Sequence, residues 1–286
     1  MLSAILALAA VTAVAAVAPG ACPRLAPIPG RGLFKDLCTG KQVVVHGVNA
    51  VYKAEPWLPP AGDFSARYSL GAEDAEILES WGMNGVRLGV MWPGAMPTRD
   101  VVDQGYLDRA RETTELLASR GIYSLLDAHQ DLLSAKFCGE GAPDWAVPQI
   151  PTGPDAFPAP LGPAFNMNAS GVPSAEDCAK YSWAEYQVTV AGSRGYQALY
   201  DNANGTAEAF AQFWSAVGKT FRNASHIIGA EIVSPAPPCS RRQLVPRPRG
   251  LPPVAACLCL LRRRGPPAAA APRSLPSPLA RARADQ

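Results

Sequence analysis

Short apolar stretches alternate with amphipathic stretches between residues 43 and 233, and this alternation limits the possible folds more than any other feature. Four short apolar stretches predict strands, at 43–49, 85–92, 122–127 and 227–233, and the first of them is rich in valine. Three stretches between them have apolar residues at helical spacing, at 73–81, 106–120 and 210–221. Strands that alternate with helices form parallel sheets with right-handed crossovers. The sequence therefore predicts an α/β fold.

The alternation is interrupted once and then stops. Residues 132–205 separate the third strand from the third helix, and eight prolines between 143 and 173 predict a loop excursion with little regular structure. A closed (β/α)8 TIM barrel typically needs about 250 residues. We therefore expect such a barrel truncated after about its fourth strand. Because a half-barrel exposes a strand edge and an unfilled interior, we expect the isolated chain to be poorly soluble or unfolded.

The two ends of the chain differ in composition from its middle. Residues 4–18 form a short apolar run that predicts a signal peptide at 1–21, with an uncleaved anchor as the alternative. Residues 234–286 contain ten of the 20 arginines, 12 of the 29 prolines and no aromatic residue. Their net charge is +9, whereas residues 1–233 sum to −7. We therefore predict one folded domain at 22–233 and a disordered tail at 234–286.

Cysteines and glycosylation motifs favour the secretory pathway, with secretion or the lysosome as the destination. Four of the seven cysteines precede the tail. We expect a disulfide between Cys138 and Cys178, which would close a long loop in an oxidising compartment; free thiols in a reducing cytosol are the alternative. Three Asn-X-Ser/Thr motifs predict N-glycosylation, at Asn168, Asn204 and Asn223.

Polar residues collect where the predicted strands end, and parallel barrels place their chemistry at that edge. The candidates are His46, Asn49 and Lys53 from the first strand, Arg87 and Trp92 from the second, and Asp127, His129 and Asp131 from the third. Trp57, Trp92 and Trp145 could stack on sugars, although core or loop packing explains each equally well. His46 could equally be a hydrogen-bonded core histidine.

The period-two motif Asp127-X-His129-X-Asp131 points three side chains to one side of an extended segment. It could bind a divalent metal, form a hydrogen-bonding rim for a hydroxyl-rich ligand, or be only a polar exit from the strand. Arg87 lies in an apolar strand and needs an acidic or carbonyl partner, whether in a structural ion pair or in a site. Spacing alone does not decide among these alternatives.

Four blocks of the sequence resemble glycoside hydrolase family 5: HGVNAVYK at 46–53, WGMNGVRLGVMWPG at 81–94, GIY at 121–123 and DAHQD at 127–131. The block FCGEGAPDW at 137–145 is similar to the endoglycoceramidase-like branch. The resemblance covers residues 32–233. It implies a (β/α)8 barrel and a retaining glycosidase that cleaves the bond between a glycan and ceramide in glycosphingolipids, or a related glycolipid bond.

The resemblance also implies roles for individual residues. Lys53, Asp127 and His129 would contact the sugar, and Arg87 would support the nucleophile. No metal or other cofactor is expected. The partners would be a glycolipid or oligosaccharide substrate, with a membrane surface reached only through the lipid. No nucleic acid is expected, and the complete protein would be a monomer.

The sequence departs from the family where its catalytic acid/base belongs. The family has Asn-Glu-Pro at the end of the fourth strand, but Pro235 occupies the slot of the glutamate here. The nucleophile belongs to a later strand, and the tail contains no glutamate. Glu231 faces the same way as position 235 but lies deeper, so we do not assign it as a catalyst. We therefore expect both catalytic carboxylates, and with them the partner of Arg87, to be missing, and the chain to be inactive as written.

Three explanations of the tail remain open. The reading frame could leave the coding sequence near Val233, since Val-Ser can be encoded by GTGAGC, which also fits an intron donor. The tail could instead belong to a natural short isoform, or be a basic arm that binds nucleic acid or anionic lipid. At the level of function, a non-enzymatic glycan-binding or glycolipid-binding protein is the alternative to a glycosidase.

Overall fold

Two β-sheets organise the chain in the computed structural model, which describes residues 25–234. The first is antiparallel with strand order β1-β2-β3, formed by Leu25–Ile28 (β1), Leu33–Asp36 (β2) and Gln42–Val43 (β3). The second is parallel with strand order β4-β5-β6-β7, formed by Gly47–Ala50 (β4), Gly85–Gly89 (β5), Tyr123–His129 (β6) and Ile227–Ser234 (β7). The predicted signal peptide and all but the first residue of the predicted tail lie outside the described residues.

Helices follow the parallel strands as the periodicity predicts. The elements are Ala72–Ser80 (α1), Trp92–Ala95 (α2), Gln104–Ser119 (α3), Ala175–Cys178 (α4), Trp183–Tyr186 (α5), Val190–Tyr200 (α6) and Thr206–Thr220 (α7). The three predicted helices, at 73–81, 106–120 and 210–221, correspond to α1, α3 and α7. Sequential strand order with a helix in each crossover confirms the predicted parallel α/β arrangement.

The first predicted strand, 43–49, is divided between the two sheets, which corrects its bounds. Val43 pairs with Phe34 of the antiparallel sheet, whereas the parallel strand begins only at Gly47. Gly47 lies opposite Gly85, and a Cβ atom at Gly47 would be 1.6 Å from the Gly85 carbonyl oxygen. The close approach that starts the parallel sheet therefore requires glycine at position 47.

The excursion at 132–205 contains more regular structure than its prolines predict, since α4, α5 and α6 all lie in it. Aromatic packing is the physical reason: the rings of Phe157 and Tyr186 stack with centroids 5.3 Å apart, and both side chains are buried. Cys138 and Cys178 form the expected disulfide. The excursion is thus a second packed layer over the end of the sheet rather than an open loop.

Side chains that alternate along each parallel strand point either towards the helices, where the apolar core lies, or towards the interior of the barrel. Val86 and Leu88 of β5 are buried against apolar residues of α1 and α3. Arg87, between them, points to the opposite face, because successive side chains of a strand point to opposite sides. Asp127 on β6 shares that interior face. Because the apolar side chains pack against the helices, the polar side chains of β5 and β6 lie together on the interior face of the sheet.

Gly94, in the short helix α2 that follows β5, allows the packing to be tested. A Cβ atom there would lie 2.4 Å from a ring carbon of Tyr106, whose side chain is fully buried. We expect Gly94→Ala to lower the free energy of unfolding by about 1–3 kcal/mol, because the ring has no free space to move into. Urea unfolding of the whole chain, followed by tryptophan fluorescence, measures the change.

Gly218 in α7 is the matched control, since a Cβ atom there meets no atom within 4 Å. We expect Gly218→Ala to raise the free energy of unfolding by up to about 1 kcal/mol, because alanine is the better helix former. Equal shifts for the two substitutions would contradict the packing described here.

Candidate functional site

Arg87 is the centre of the polar interior. Its Nη2 lies 2.8 Å from Asp127 Oδ2, and its Nε donates a hydrogen bond of 2.5 Å to Glu231 Oε2. Parallel register sets Asp127 beside Glu231 on neighbouring strands, which puts both carboxylates within reach of one guanidinium. The Asp127 side chain is fully buried, so Arg87 compensates a charge that water cannot reach. The expectation that Arg87 lacks a partner is therefore wrong: β6 and β7 each supply one.

The period-two motif continues this network from β6 into the following loop. Asp127 Oδ2 also lies 3.1 Å from His129 Nδ1, and His129 Nε2 lies 3.5 Å from Asp131 Oδ2. All three side chains are mostly shielded from solvent. The motif therefore has the common direction that its spacing predicts, with the histidine held between two carboxylates.

Lys53 closes the network from the loop after β4. Its Nζ forms an ion pair with Asp131 and lies 3.2 Å from Glu140 Oε1. The backbones of Asp131 and Glu140 also donate hydrogen bonds to each other, at 2.8 and 2.7 Å. Sequence reasoning did not single out Glu140, although it lies in the block at 137–145 that resembles endoglycoceramidases. Glu140 reaches the network because its backbone pairs with that of Asp131, nine positions earlier in the chain. Strand periodicity gives no signal of such a pairing between loop segments.

Burial and neighbouring charges shift the pKa values of Glu140 and Asp131, the two carboxyl groups beside Lys53. Burial raises the pKa of Glu140 to about 7, and the neighbouring Asp131 adds to the rise, while Lys53 opposes it. Burial would raise the pKa of Asp131 too, but hydrogen bonds with Lys53 and Glu140 lower it below its usual value. Glu140 therefore titrates near neutral pH, while Asp131 keeps its charge.

Three of these groups have the chemistry of metal ligands. Ligand atoms of His129, Asp131 and Glu140 lie within 4.8 Å of one another. The ammonium group of Lys53, however, pairs with both carboxylates. A divalent ion would have to displace this cation, so the donor set fits a metal poorly. The arrangement instead presents carboxylates, an imidazole and an ammonium group, which can hydrogen-bond several hydroxyls of one ligand.

Two of the other predicted site residues are displaced from the expected edge. His46 precedes β4 and is exposed at the opposite, amino end of the strand, because the parallel strand begins only at Gly47. It is neither a rim residue nor a core histidine. Trp92 is only 3% exposed and packs against Phe210 and Phe213, so it belongs to the core rather than to a rim.

The remaining candidates stay near the carboxyl edge. Asn49 is exposed on β4 and lies opposite Arg87 in the sheet. Trp57 and Trp145 are half-buried and line the same cavity. Trp145 donates a hydrogen bond of 3.2 Å to the Met96 carbonyl oxygen. Trp57 therefore faces the cavity, whereas the Trp145 ring also packs against Arg99, 4.9 Å from its centroid, and against Trp92.

The three predicted glycosylation sites are all on the surface. Asn168, Asn204 and Asn223 are exposed. Within residues 25–234, no helix is long and apolar enough to cross a membrane.

A parallel sheet with helical crossovers and a polar network at its carboxyl edge is typical of a (β/α)8 barrel enzyme. A family model described as cellulase (glycosyl hydrolase family 5) matches residues 40–233. The chain therefore belongs to glycosyl hydrolase family 5. The four parallel strands and their helices are accordingly part of the family's (β/α)8 barrel.

Endoglycoceramidases are among the most similar relatives. The chain is 39% identical over 196 residues to endoglycoceramidase of Hydra vulgaris and 40% identical over 197 residues to that of Cyanea nozakii. Each match covers 68% of this chain but only 37% or 38% of the relative. The chain thus spans well under half the length of the curated relatives it matches.

Solved structures agree on the fold. A crystal structure of endogalactoceramidase has a TM-score of 0.53 at 23% identity, over 74% of this chain and 44% of that chain. Endo-glycoceramidase II from Rhodococcus sp., in complex with a five-membered iminocyclitol, has a TM-score of 0.52 at 23% identity. That match covers 68% of this chain and 39% of the other.

The ion bridge from Arg87 to Asp127 and Glu231 should contribute to the free energy of unfolding. We expect Arg87→Met to lower the free energy of unfolding by about 3–5 kcal/mol, because it leaves the buried Asp127 carboxylate without its cation. Chemical denaturation measures the loss. The control is Arg111→Met, which removes an exposed pair with Glu115 and should cost no more than about 0.5 kcal/mol. A small loss at Arg87 would contradict the bridging role.

The raised pKa of Glu140 should make the free energy of unfolding depend on pH. Its raised pKa means that the folded chain keeps a proton that the unfolded chain releases between about pH 4.5 and pH 7. We therefore expect the free energy of unfolding to fall as pH rises through that window. Glu140→Gln should remove this part of the slope, whereas Glu112→Gln at an exposed position should retain it. Denaturation curves across the window test this, and an unchanged slope in Glu140→Gln would contradict it.

Proposed function

We propose that this chain supplies the N-terminal half of the catalytic barrel of a glycosidase that cleaves the glycan–ceramide bond of glycosphingolipids with retention. One observation supports this most directly. Seven charged or titratable side chains form a continuous network along the carboxyl edge of β4–β7, inside the segment that matches endoglycoceramidases. In parallel barrels, that edge is where substrates bind.

The network suggests a division of roles. Lys53 and His129 contact the hydroxyls of the sugar, with Lys53 donating hydrogen bonds. The expected direct contact of Asp127 is not retained, because its side chain is fully buried; Asp127 acts by holding His129 and Arg87 in place. Arg87 acts one layer deeper and holds the carboxylates of Asp127 and Glu231 in place. Retaining cleavage further needs two carboxyl groups about 5–5.5 Å apart, one as nucleophile and one as acid/base.

We propose further that the chain as written binds glycans but does not hydrolyse them. Pro235 occupies the slot of the acid/base, and proline has no group that can transfer a proton. Glu231 is not a substitute, because its carboxylate is engaged by Arg87. Loss of one member of a catalytic unit can cost several powers of ten in rate.

Passage through the secretory pathway, with secretion or lysosomal delivery, is part of the same proposal. Three exposed glycosylation motifs and the Cys138–Cys178 disulfide support it, because disulfides persist mainly in oxidising compartments. The apolar run at 4–18 would supply the signal.

The test uses the purified 286-residue chain. We expect calorimetric titration to show binding of lactose, and a fluorescent lactosylceramide to remain uncleaved after prolonged incubation with the chain. Lys53→Met should weaken lactose binding about tenfold, the effect of losing roughly 1.4 kcal/mol. Lys219→Met, which removes a lysine on α7, is the control and should bind lactose like the unmodified chain.

Two results would contradict the proposal. Absence of lactose binding by the folded chain would remove the glycan-binding role, and cleavage of the lipid would show that catalysis does not need a glutamate at position 235. Sequencing the transcript across the codons for 231–237 separates the origins of the tail. A spliced message that restores Asn-Glu-Pro should encode an active enzyme.

A further inference from the structure

Gln130 is a buried glutamine between two members of the charged network, His129 and Asp131. Its Oε1 accepts two hydrogen bonds of 3.0 Å, one from the Leu133 backbone N–H and one from the Tyr196 hydroxyl. Two donors on one buried oxygen fix the orientation of the side chain. The glutamine therefore joins the loop that follows β6 to α6, which belongs to the excursion at 132–205.

The loop after β6 has a backbone conformation that needs such support. Leu132 and Leu133 have φ angles of +56° and +65°, in the left-handed region that bulky residues rarely adopt. Such a conformation persists only where the surrounding contacts determine it. Here the Leu133 N–H donates to Gln130, and the Leu133 carbonyl accepts a hydrogen bond of 2.5 Å from the Ala142 N–H. Gln130 is therefore one of the contacts that determine the path of this loop.

Helix α6 packs directly on the same loop. A Cβ atom at Gly195 would lie 2.9 Å from Leu133 Cδ1 and 3.0 Å from a ring carbon of Phe137, so glycine allows the close approach. Tyr196, the next residue, is only 6% exposed. Burial raises the pKa of its hydroxyl, and the charge of Asp131 adds to the rise. The hydroxyl therefore stays protonated at neutral pH and keeps donating its hydrogen bond.

The loop ends at the two carboxylates beside Lys53. The backbones of Asp131 and Glu140 pair with each other, and both side chains form ion pairs with the Lys53 ammonium group. Gln130 also packs against the second arm of this pairing, since a Cβ atom at Gly141 would lie 2.2 Å from Gln130 Cβ. A displacement of Gln130 would therefore move both carboxylates relative to the ammonium group.

We propose that Gln130 and Tyr196 are positioning residues, which hold Asp131 and Glu140 at Lys53 and let the packed excursion set the affinity of the glycan site. This inference rests on the proposed glycan-binding function and adds to it the residues that control it from a distance. Both residues act through the loop after β6 rather than by touching the sugar. A hydrogen bond that only stabilised the excursion would leave glycan affinity unchanged.

The first test is Tyr196→Phe in the 286-residue chain, which removes the hydroxyl and keeps the ring. We expect calorimetric titration to show about fivefold weaker binding of lactose, because the loss of one hydrogen bond loosens the loop that holds the carboxylates. Circular dichroism and tryptophan fluorescence should match those of the unmodified chain and show that the variant is folded.

Tyr186→Phe is the matched control. Tyr186 also lies in the excursion and is 2% exposed, and its hydroxyl donates to the carbonyls of Asp177 and Cys178, at 3.2 and 3.0 Å. The substitution therefore removes a phenol hydrogen bond from the same layer without touching Gln130. We expect it to lower the stability about as much as Tyr196→Phe and to leave lactose affinity unchanged.

A double-mutant cycle tests the route from Tyr196 to the sugar. If Tyr196 acts through Lys53, its hydroxyl should have little effect on lactose binding once Lys53 is replaced by methionine. We expect Tyr196→Phe to weaken lactose binding by less than about twofold in the Lys53→Met background, because residues that act through one contact are not additive.

The pH dependence of stability gives a readout that needs no ligand. Loosening the loop should expose Glu140 to water and bring its raised pKa back towards the usual value. We therefore expect the fall in the free energy of unfolding between about pH 4.5 and pH 7 to be smaller in Tyr196→Phe. Tyr186→Phe should keep the full fall.

The outcomes separate this inference from the proposed function. Unchanged lactose affinity in Tyr196→Phe would overturn the positioning role, and an equal loss in Tyr186→Phe would overturn the specific route through Gln130. A full fivefold loss in the Lys53→Met background would overturn the route through Lys53. Absence of lactose binding by the unmodified chain would remove the proposed function, and the pH slopes of the two tyrosine variants would still decide whether Tyr196 positions Glu140.

Discussion

The ion bridge from Arg87 to Asp127 and Glu231 is the interaction on which the polar interior depends. One guanidinium joins side chains of three adjacent strands, at 2.8 Å to Asp127 and 2.5 Å to Glu231. Without it, a fully buried carboxylate would lie unpaired in the sheet interior, which proteins rarely tolerate. The bridge therefore allows β6 and β7 to bring two acidic residues together in the sheet interior, next to the arginine of β5.

The remaining charges extend outward from that bridge by short steps. His129 lies between Asp127 and Asp131, and Lys53 joins Asp131 to Glu140. These residues come from the end of β6 and from the loops that follow β4 and β6. Side-chain exposure is zero at Asp127, 13% at His129 and Asp131, 46% at Lys53 and 18% at Glu140, the residue whose pKa lies near neutral pH. The proposed glycan binding and the expected pH dependence are thus assigned to one network.

Much of the fold was predictable from periodicity. The helices at 73–81 and 106–120 and the strand at 122–127 appear close to their expected positions, because apolar spacing reports directly which face of an element is buried. The excursion was not predictable in this way. Its prolines indicate loops, but the stacked rings of Phe157 and Tyr186 and the Cys138–Cys178 disulfide pack it, and such contacts depend on residues distant in sequence.

The sequence by itself determined the strand and helix order, the common direction of Asp127, His129 and Asp131, and the identity of the residue at 235. These follow from local spacing and residue type. Only the tertiary structure decided that Arg87 has two partners, that Glu140 joins Lys53, and that Trp92 is core while His46 lies at the opposite end of its strand. Each of those outcomes depends on which strands become neighbours and in what register, and register is a property of the assembled sheet.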